Sequence, residues 1–582
     1  MIKRVLLVAA VAIVLAAGAV LVMAQQGTEE AEHGPGVSMD TMAKSIGSEI
    51  MLHVARGHYP GRSAEVYLVP KPHYYFAGDV DLTTLGTDTP WTATAHPAPW
   101  RYTARVPLIF YGPKLIEAGQ EIYDPVDIAG VAPTYADILG VDGLEAEGES
   151  LPEVVGSAAG KKPKVIFSIV LDGGGWNTLQ EHPDSWPTIK RLAEEGTSYV
   201  NADIGSAPSI TGALHATFGT GVYPRTHGLP GNQMRSPDGG ENIDTWLENA
   251  DGRYLESAAV SELWDEQNGN KPVVGTVSYE GWHLGMIGKG ALREGGDRDV
   301  AALWDHVENE WWTNEEYYEL PESLSVTDVE RLESYEEALD PQDGLKDGLW
   351  FDNTLEELRE EPIRPGTPAF TTFTGDAVIE TMRETKLGSD DITDMFWVEM
   401  KMPDFAGHIW NMIEPEEAAV LRKTDDQVAR FKAELDKTVG EGNYIIMVSA
   451  DHGQQPFPDF LGGWRINTQE FQKDVEAEFG NVVEKVTTTD IFMDLDALEE
   501  EGLTLDEIAL WASGYTIGEN VGVERPGADR VPESRLDDPI FAGAFSSDYL
   551  VELAEDETKI ESFGPGEYEE GSMTIEPNGA EG

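Results

Sequence analysis

Four short apolar runs rich in β-branched residues constrain the fold of this 582-residue chain most strongly. Each run has the length of a buried strand, and segments with helical spacing, such as residues 186–195 and 415–435, lie between them. This alternation predicts a mostly parallel sheet flanked by helices. Ligands bind such sheets at the carboxyl ends of the strands, so the residues after each run are candidates for a functional site. In chain order the runs are residues 106–111, 165–171, 395–400 and 444–450.

The charge of the chain bears on its partners. It has 106 acidic and 40 basic side chains, which leave a formal net charge of -66. Such an excess argues against nucleic acid as a partner. An acidic surface also repels anionic substrates at low salt, so a site for them needs its own positive charge, which metal ions would supply. Adaptation to a salty environment explains the same acidity without any chemistry.

The N-terminus is typical of an export signal. Lys3 and Arg4 precede an apolar stretch at residues 5–23, and Ala24 offers a cleavage point. The stretch is also long enough for a membrane anchor. We therefore expect a periplasmic, extracellular or outer-face anchored protein, which contacts a membrane only through residues 1–24 if these are retained. The chain has no cysteine, which excludes disulfides and a thiol nucleophile.

Composition also suggests how the chain is divided. Residues 156–164 are small, polar and basic, as in a linker. The end of the chain is acidic and rich in glycine, so we expect it to be poorly ordered. The predicted segments are a signal or anchor at 1–24, a first folded segment at 39–155, the linker at 156–164, a catalytic core at 165–460, an accessory or cap region at 461–554 and the tail at 555–582.

Acidic and imidazole side chains follow three of the four runs. Asp172 comes directly after the second run and precedes three glycines, which let ligands approach the backbone closely. Asp404 and His408 follow the third run with a spacing that suits zinc, and Asp451 and His452 follow the fourth. Each of these sites alone is also compatible with a turn aspartate and a surface histidine. Two acid and imidazole pairs at strand ends favour a metal site.

A hydroxyl residue stands at the start of a predicted helix. Pro208 and Ser209 mark the helix start, which puts Thr211 in the first turn. Free N–H groups and the positive end of the helix dipole favour an alkoxide or a phosphate oxygen at this place. A plain capping hydroxyl is the alternative.

Together these motifs resemble the alkaline phosphatase superfamily. The most similar branch uses a threonine nucleophile and contains the nucleotide pyrophosphatases/phosphodiesterases and related bacterial phosphatases. The resemblance implies an α/β fold, a sandwich with a central, mostly parallel sheet flanked by helices and an accessory or cap region. It rests on Asp172, on Thr211 with the Gly-Thr-Gly-Val-Tyr-Pro-Arg-Thr-His-Gly run at 219–228, on the Pro-Asp-x-x-Gly-His motif at 403–408 and on Asp451-His452-Gly453.

The resemblance also implies an activity and a cofactor. The family hydrolyses phosphoric esters through a phospho-threonine intermediate at a site with two Zn²⁺ ions, although other divalent metals could serve. Here Thr211 would be the nucleophile, and the partner would be a small phosphate ester. One zinc would be bound by Asp172, Thr211, Asp451 and His452, and the other by Asp404, His408 and a further histidine that normally comes late in the chain.

That further histidine is not where the family places it, because no histidine follows His452. Residues 62–139 instead resemble the C-terminal end of these enzymes, in which the last metal histidine precedes a strand like the first run. We therefore infer a circular permutation, in which the normally C-terminal segment stands at 39–155 and completes the catalytic domain, with His96 as the missing ligand and the linker at 156–164 in place of the natural ends. Family members usually have glycine where this chain has Pro97.

Substrate-binding residues are less clearly marked. Asn232 occupies the position of a phosphate-binding asparagine in threonine-type monoesterases of the superfamily, and Lys289 could approach the same oxygens. A turn residue and a solvated loop lysine are the alternatives. Leu214 stands where the phosphodiesterase branch commonly has asparagine, so both monoesters and diesters remain open. We expect His215 and His227 to pack around the threonine turn, and the other histidines, His283 among them, show no ligand spacing.

Three other functions fit parts of the same pattern. A sulfatase of the same superfamily is disfavoured, because that chemistry mostly needs a formylglycine made from cysteine. A phosphonate hydrolase or phosphomutase remains open. So does a metal-binding but inactive envelope protein, in which the permuted half no longer closes the second metal site.

Overall fold

A computed structural model describes residues 37–78, 80, 82, 95–247, 249–360, 362–522 and 525–568. The α/β class and the central, mostly parallel sheet are confirmed. Apolar side chains form one large core around this sheet and a second core around a smaller sheet. The predicted signal or anchor at 1–24 lies outside the described residues. Among the helices that are described, none has the length and apolar character needed to cross a membrane.

The middle of the central sheet is parallel. Val165–Leu171 lies between Asp394–Met400 and Tyr444–Ala450 and pairs in register with both over seven residues. All three strands are buried along their whole length, as their apolar composition predicts. From edge to edge the strands are Glu310–Trp312, Asp299–Asp305, Val274–Val277, Asp394–Met400, Val165–Leu171, Tyr444–Ala450, Leu108–Tyr111, Thr197–Tyr199 and Gln120–Ile122, and Tyr318–Glu319 pairs beside Asp299–Asp305.

The first apolar run enters the sheet in the opposite direction. Leu108–Tyr111 pairs antiparallel with Tyr444–Ala450, so the parallel arrangement predicted for all four runs holds for three of them. In this register Leu108 lies opposite Ser449. The chain that precedes Leu108 therefore reaches the edge of the sheet at which the parallel strands end.

Helices pack around both cores, and two were anticipated closely. Residues 186–195 form the helix Pro187–Glu194, and residues 415–435 form Pro415–Leu435. The other helices are Met39–Ile46, Ser48–Gly57, Arg101–Ala104, Val131–Leu139, Pro152–Ala158, Trp176–Glu181, Thr211–Thr220, Pro224–His227, Val260–Gln267, Val329–Glu337, Pro368–Glu384, Met402–Trp410, Thr468–Phe479, Leu495–Glu501, Leu505–Gly514, Ile517–Val521, Ser547–Glu555 and Glu557–Glu561.

The smaller sheet joins distant parts of the chain. Val66–Pro70 lies between Asp490–Met493 and Phe541–Ser546, and Val483–Val486 forms the edge beyond Asp490–Met493. Residues 39–155 contribute to both cores. Their first part packs with the accessory region, and their later part, from Leu108–Tyr111 onward, packs with the central sheet.

Residues 156–164 and 555–568 both contact the rest of the structure. The predicted linker at 156–164 begins inside the helix Pro152–Ala158, and the Lys164 N–H donates to the carbonyl of Asn443 before the next strand starts. Near the end of the described chain, the side chains of Ile560 and Phe563 are buried in the second core. Residues 569–582 lie outside the described residues.

A buried ion pair between Arg235 and Glu65 connects distant segments of the chain. The Arg235 guanidinium donates to both oxygens of Glu65 at 2.7 and 2.8 Å. The second oxygen of Glu65 also accepts the Met493 N–H at 2.8 Å, and Arg235 donates to the Met493 carbonyl at 2.8 Å. Three segments far apart in sequence are thus connected by a fully hydrogen-bonded charge pair, which is the arrangement that makes burial of charge tolerable.

We expect Arg235→Met to lower the free energy of unfolding by about 3–5 kcal/mol, because Glu65 would stay buried without its counter-charge. Urea denaturation measures this difference. Lys473→Met is the control, since Lys473 pairs with Glu470 at the surface and its loss should cost about 1 kcal/mol or less. Equal effects of the two replacements would contradict this role of the pair.

Candidate active site

The residues that follow the parallel strands meet at one edge of the central sheet. Asp172 follows Val165–Leu171 and is fully buried, and Thr211 is the first residue of the helix Thr211–Thr220. Gly173 has φ +69°, and a Cβ there would lie 2.9 Å from the Asp404 Cα. Glycine is required at this position for both reasons. It lets the two chain segments that carry Asp172 and Asp404 approach each other.

The two predicted acid and imidazole pairs both reach this edge. Asp404 and His408 lie one turn apart on the helix Met402–Trp410, with 3.3 Å between Oδ1 and Nε2. Asp451 and His452 follow Tyr444–Ala450 and are fully buried. The Nε2 atom of His452 lies 3.2 Å from Asp451 Oδ2 and 3.5 Å from Asp172 Oδ1.

His96 reaches the same place from the front part of the chain. Its Nε2 lies 3.6 Å from Asp404 Oδ1, and its ring stacks on that of His452 with 3.7 Å between centroids. The His408 ring is 5.2 Å away. The antiparallel entry of Leu108–Tyr111 explains this position, because it brings the preceding chain to the edge at which the parallel strands end.

Hydrogen bonds orient the imidazole rings. The Nδ1–H of His96 donates to the carbonyl of Ser209 at 2.6 Å, and that of His452 to the carbonyl of Gly453 at 3.0 Å. Nε2 therefore carries the lone pair in both rings, as in most metal-binding histidines. Burial lowers the pKa of His96 to about 4 and the pKa of His452 well below its usual value, so both rings are neutral at pH 7.

These side chains form two groups that could each hold a cation. In one group His96, Asp404 and His408 offer ligand atoms within 4.8 Å of one another, and in the other Asp172, Asp451 and His452 do. Buried polar atoms normally have partners. Four atoms here have none among the described residues, namely Asp172 Oδ1, Asp404 Oδ1, Asp451 Oδ2 and His452 Nε2. Mixed carboxylate and imidazole donors of this kind fit zinc.

A buried lysine, which the sequence analysis did not identify, links the two groups. The Lys401 ammonium lies 3.0 Å from Asp172 Oδ2, 2.7 Å from Asp404 Oδ2 and 3.4 Å from the Thr211 hydroxyl. Burial alone would lower the pKa of Lys401, but the facing carboxylates raise it well above its ordinary value. Lys401 thus pairs with one oxygen of each aspartate, and the other oxygen of each faces imidazole rings and has no hydrogen bond within the described residues.

Two more histidines surround Asp172. The Nε2 atom of His283 lies 3.5 Å from Asp172 Oδ2 and 3.7 Å from Glu399, and the Nδ1–H of His215 donates to the Thr211 carbonyl at 2.9 Å. His215 therefore bonds at the threonine turn, as expected. Together with Asp172 the two rings form a further group that could hold a cation. No spacing in the sequence indicated His283, because a separate turn at residues 281–286 brings it to the site.

The two predicted substrate-binding residues are placed differently. Asn232 lies next to Thr211, since its Oδ1 accepts the Gly212 N–H at 2.8 Å, which leaves its NH₂ group as a donor. The Lys289 ammonium donates to the carbonyl of Leu255 at 2.7 Å, and the backbone N–H of Lys289 donates to the Glu262 carboxylate. Lys289 thus has partners away from the aspartates, whereas Lys401 contacts them directly.

A cavity of about 390 Å³ opens beside these groups. Aromatic side chains such as Tyr75, Phe76 and Trp282 form its walls, together with His96, His408 and Asn232. Residues 487, 488, 490 and 492 of the accessory region also line it. Among the described residues that line the cavity there is no lysine or arginine.

Comparisons with known proteins show which family the chain belongs to. Residues 166–499 match the family model for type I phosphodiesterase / nucleotide pyrophosphatase. The chain is 25% identical over 408 residues to a "calcium-transporting ATPase" of Myroides odoratus, with 61% of this chain and 73% of that protein covered. It is 24% identical over 435 residues to alkaline phosphatase PafA of Elizabethkingia meningoseptica, with 65% and 78% covered.

A solved structure shows a similar fold. The crystal structure of wild-type alkaline phosphatase PafA superposes with a TM-score of 0.53 and 19% identity, over 67% of this chain and 85% of the other.

We expect Lys401→Met to destabilise the metal-free protein by about 3–5 kcal/mol, because Asp172 and Asp404 would lose their only buried cation among the described residues. Bound zinc would neutralise the same carboxylates, so the loss should be at most half as large in zinc-loaded protein. Urea denaturation with and without zinc measures both values. Lys423→Met, which removes a surface pair with Asp426, should have little effect in either state. A loss that does not change with zinc would contradict this role.

Proposed function

Since the chain belongs to the type I phosphodiesterase / nucleotide pyrophosphatase family, we propose that it hydrolyses small phosphate monoesters at a two-metal site, with Thr211 as the nucleophile. That it is a phosphoric-ester hydrolase of the alkaline phosphatase superfamily follows from the family itself. The observation that carries the finer proposal is the position of Thr211. Its hydroxyl stands at a helix start, 3.4 Å from the Lys401 ammonium, which in turn contacts one aspartate of each ligand group.

The proposed ligands fall into the two groups described above, and the cations are taken to be zinc. Asp172, Thr211, Asp451 and His452 would hold one ion, and Asp404, His408 and His96 the other. Such ions lower the pKa of a coordinated hydroxyl and offset negative charge on the substrate. Support for this assignment comes from the buried ligand atoms that lack partners.

The reaction then needs two displacements at phosphorus. The Thr211 oxygen, having lost its proton, forms a bond to phosphorus while the bond to the substrate alcohol breaks, and the alcohol leaves with a proton. Water next attacks the phospho-threonine, the bond from phosphorus to the Thr211 oxygen breaks, and inorganic phosphate is released. The NH₂ group of Asn232 and the N–H groups of the first helical turn are suited to bind the phosphoryl oxygens. Lys289 would first have to leave the Leu255 carbonyl, so we give it a lesser role.

Charge balance favours a monoester over a diester. Asp172, Asp404 and Asp451 bring three negative charges when they hold metal, and Lys401 brings one positive charge. While the Thr211 hydroxyl keeps its proton, two dications would then leave two positive charges, which match the dianion of a phosphate monoester as it binds. A diester carries a single negative charge and would leave the site with an excess of one positive charge. Glu399 changes this balance little, because burial raises its pKa well above the usual range and so favours its neutral form.

The cavity suggests which alcohols leave. Its walls are mostly apolar and aromatic, with Asp490 as the one carboxylate among the described lining residues, and they suit an apolar or aromatic group, which they would remove from water. A nucleoside polyphosphate would bring further negative charge into a space in which the described lining residues include no lysine or arginine. We therefore propose that the substrates are monoesters of uncharged alcohols.

Two further parts of the proposal concern the chain as a whole. Export is supported by the basic residues and the apolar stretch at the N-terminus. Circular permutation is supported by the contact between His96 and Asp404 and by the antiparallel pairing of Leu108–Tyr111 beside Tyr444–Ala450.

Thr211→Ala should lower turnover of p-nitrophenyl phosphate by more than about 10³-fold, because the nucleophile is lost. Wild-type protein should prefer this monoester to bis-p-nitrophenyl phosphate. Zinc content, measured by elemental analysis, should stay above one ion per chain. Thr217→Ala is the matched control, since Thr217 lies buried on the same helix and bonds to His227. A Thr211→Ala variant that keeps its activity would disprove the assignment, and a diester preference would disprove the charge argument.

His96→Ala should reduce zinc from two ions to one per chain and lower monoesterase activity, because one ligand of the second ion is removed. His58→Ala is the control, since His58 lines the same cavity but bonds to Ser547 and belongs to neither group. Fewer than two zinc ions in wild-type protein, with no turnover of either ester, would favour an inactive metal-binding protein instead.

A further inference from the structure

A third set of carboxylates lies outside the groups around Thr211. Asp265 is on the helix Val260–Gln267, Asp299 begins the strand Asp299–Asp305, and Asp297 lies in the turn just before that strand. One oxygen from each of the three lies within 4.8 Å of the others. Asp265 and Asp299 are only 4% and 8% exposed, whereas Asp297 is exposed.

The buried members of this set lack compensating partners. Among the described residues, no lysine or arginine forms an ion pair with them, and Oδ1 of Asp265 accepts no hydrogen bond. The two nearby guanidinium groups are engaged elsewhere. Arg293 pairs with Glu266 at 3.3 Å, and Arg298 donates to the carbonyl of Glu315 at 3.3 Å. Two nearly buried carboxylates therefore lie close together, and in the described part of the chain neither is paired with a lysine or arginine.

Without a cation these carboxylates oppose one another. Burial, together with the neighbouring carboxylates, raises the pKa of Asp265 to about 7 and the pKa of Asp299 well above its usual range. A shared proton relieves part of this repulsion. A bound dication relieves more of it, because each oxygen then faces positive charge.

We propose that Asp265, Asp297 and Asp299 bind a structural Ca²⁺ ion. All three ligands are carboxylate oxygens, with neither imidazole nor thiolate among them, which favours a hard cation over zinc. Calcium takes six to eight oxygen ligands in flexible geometry, and the exposed side of the set, at Asp297, leaves room for water to complete them. Magnesium is less suited, because it demands a near-ideal octahedron.

The ion would fasten two elements that the chain connects only indirectly. It would join the helix Val260–Gln267 to the first residue of Asp299–Asp305, a strand in the outer half of the central sheet. The same helix carries Glu262, which accepts the backbone N–H groups of Ala259 and Lys289. The proposed ion would thus hold the turn before the strand against a helix of the main core. Calcium binding at these aspartates does not depend on the proposed function.

The test uses the full chain loaded with zinc and freed of calcium on a chelating resin before zinc is restored. Titration with CaCl₂, followed by calorimetry, should show one Ca²⁺ per chain with a Kd of about 10⁻⁵ to 10⁻³ M. The melting temperature should rise by about 2–4 °C at saturating calcium. No binding, or binding that displaces zinc, would overturn the proposal, as would a preference for Mg²⁺.

Asp265→Asn and Asp299→Asn provide the second part of the test. Both should lose the calcium stoichiometry and the calcium-dependent shift, while zinc content and ester turnover stay within about twofold of wild type. A neutral amide also removes repulsion, so the calcium-free variants should melt at or above the temperature of calcium-free wild type. At saturating calcium, wild type should melt at a higher temperature than either variant.

Asp305→Asn is the matched control for these variants. Asp305 ends the same strand, and its carboxylate accepts the N–H groups of Val307 and Glu308. This variant should bind calcium as wild type does. If Asp299→Asn also keeps the calcium-dependent shift, the ion binds elsewhere and the proposal fails.

Discussion

The candidate active site depends on positive charge between carboxylates that the sheet forces together. The strands Val165–Leu171, Asp394–Met400 and Tyr444–Ala450 are parallel and in register, so the residues after them share one buried edge. Three aspartates in so little space would repel one another strongly. The Lys401 ammonium lies between two of them, and neutral imidazoles fill the space around the third. The geometry that makes the site useful for binding cations would otherwise be a source of instability.

Sequence reasoning succeeded where a pattern has a local physical cause. The buried strands are visible as apolar runs, and their expected parallel order is enough to bring Asp172, Asp404 and Asp451 to one edge of the sheet. The pair of Asp404 and His408 is visible as a one-turn helical spacing. His96 is different, because only the resemblance to a known family suggested it. Its contact with Asp404 depends on the antiparallel strand at Leu108–Tyr111, and the direction of that strand is not encoded in its composition.

Other features could not be predicted, since they arise from contacts between distant segments. Lys401 follows a buried strand and resembles any polar residue at a strand end. Its role becomes visible only when Asp172 and Asp404 are seen on either side of it. His283 reaches Asp172 through a turn without recognisable spacing. The division of residues 39–155 between two cores was also hidden, because an apolar strand such as Val66–Pro70 does not specify which sheet it joins.

The smaller sheet has a consequence for how the chain folds. Val66–Pro70 pairs with Phe541–Ser546. These two strands come from opposite ends of the described chain, and they must pair before the second core can form. Pairings of such long range are slow, since the entropy of closing the loop is lost before any contact is gained. Part of the aromatic wall around the cavity belongs to this second core. A chain still emerging from a ribosome or a translocation channel could therefore hold most of its central sheet and yet lack a finished binding cavity.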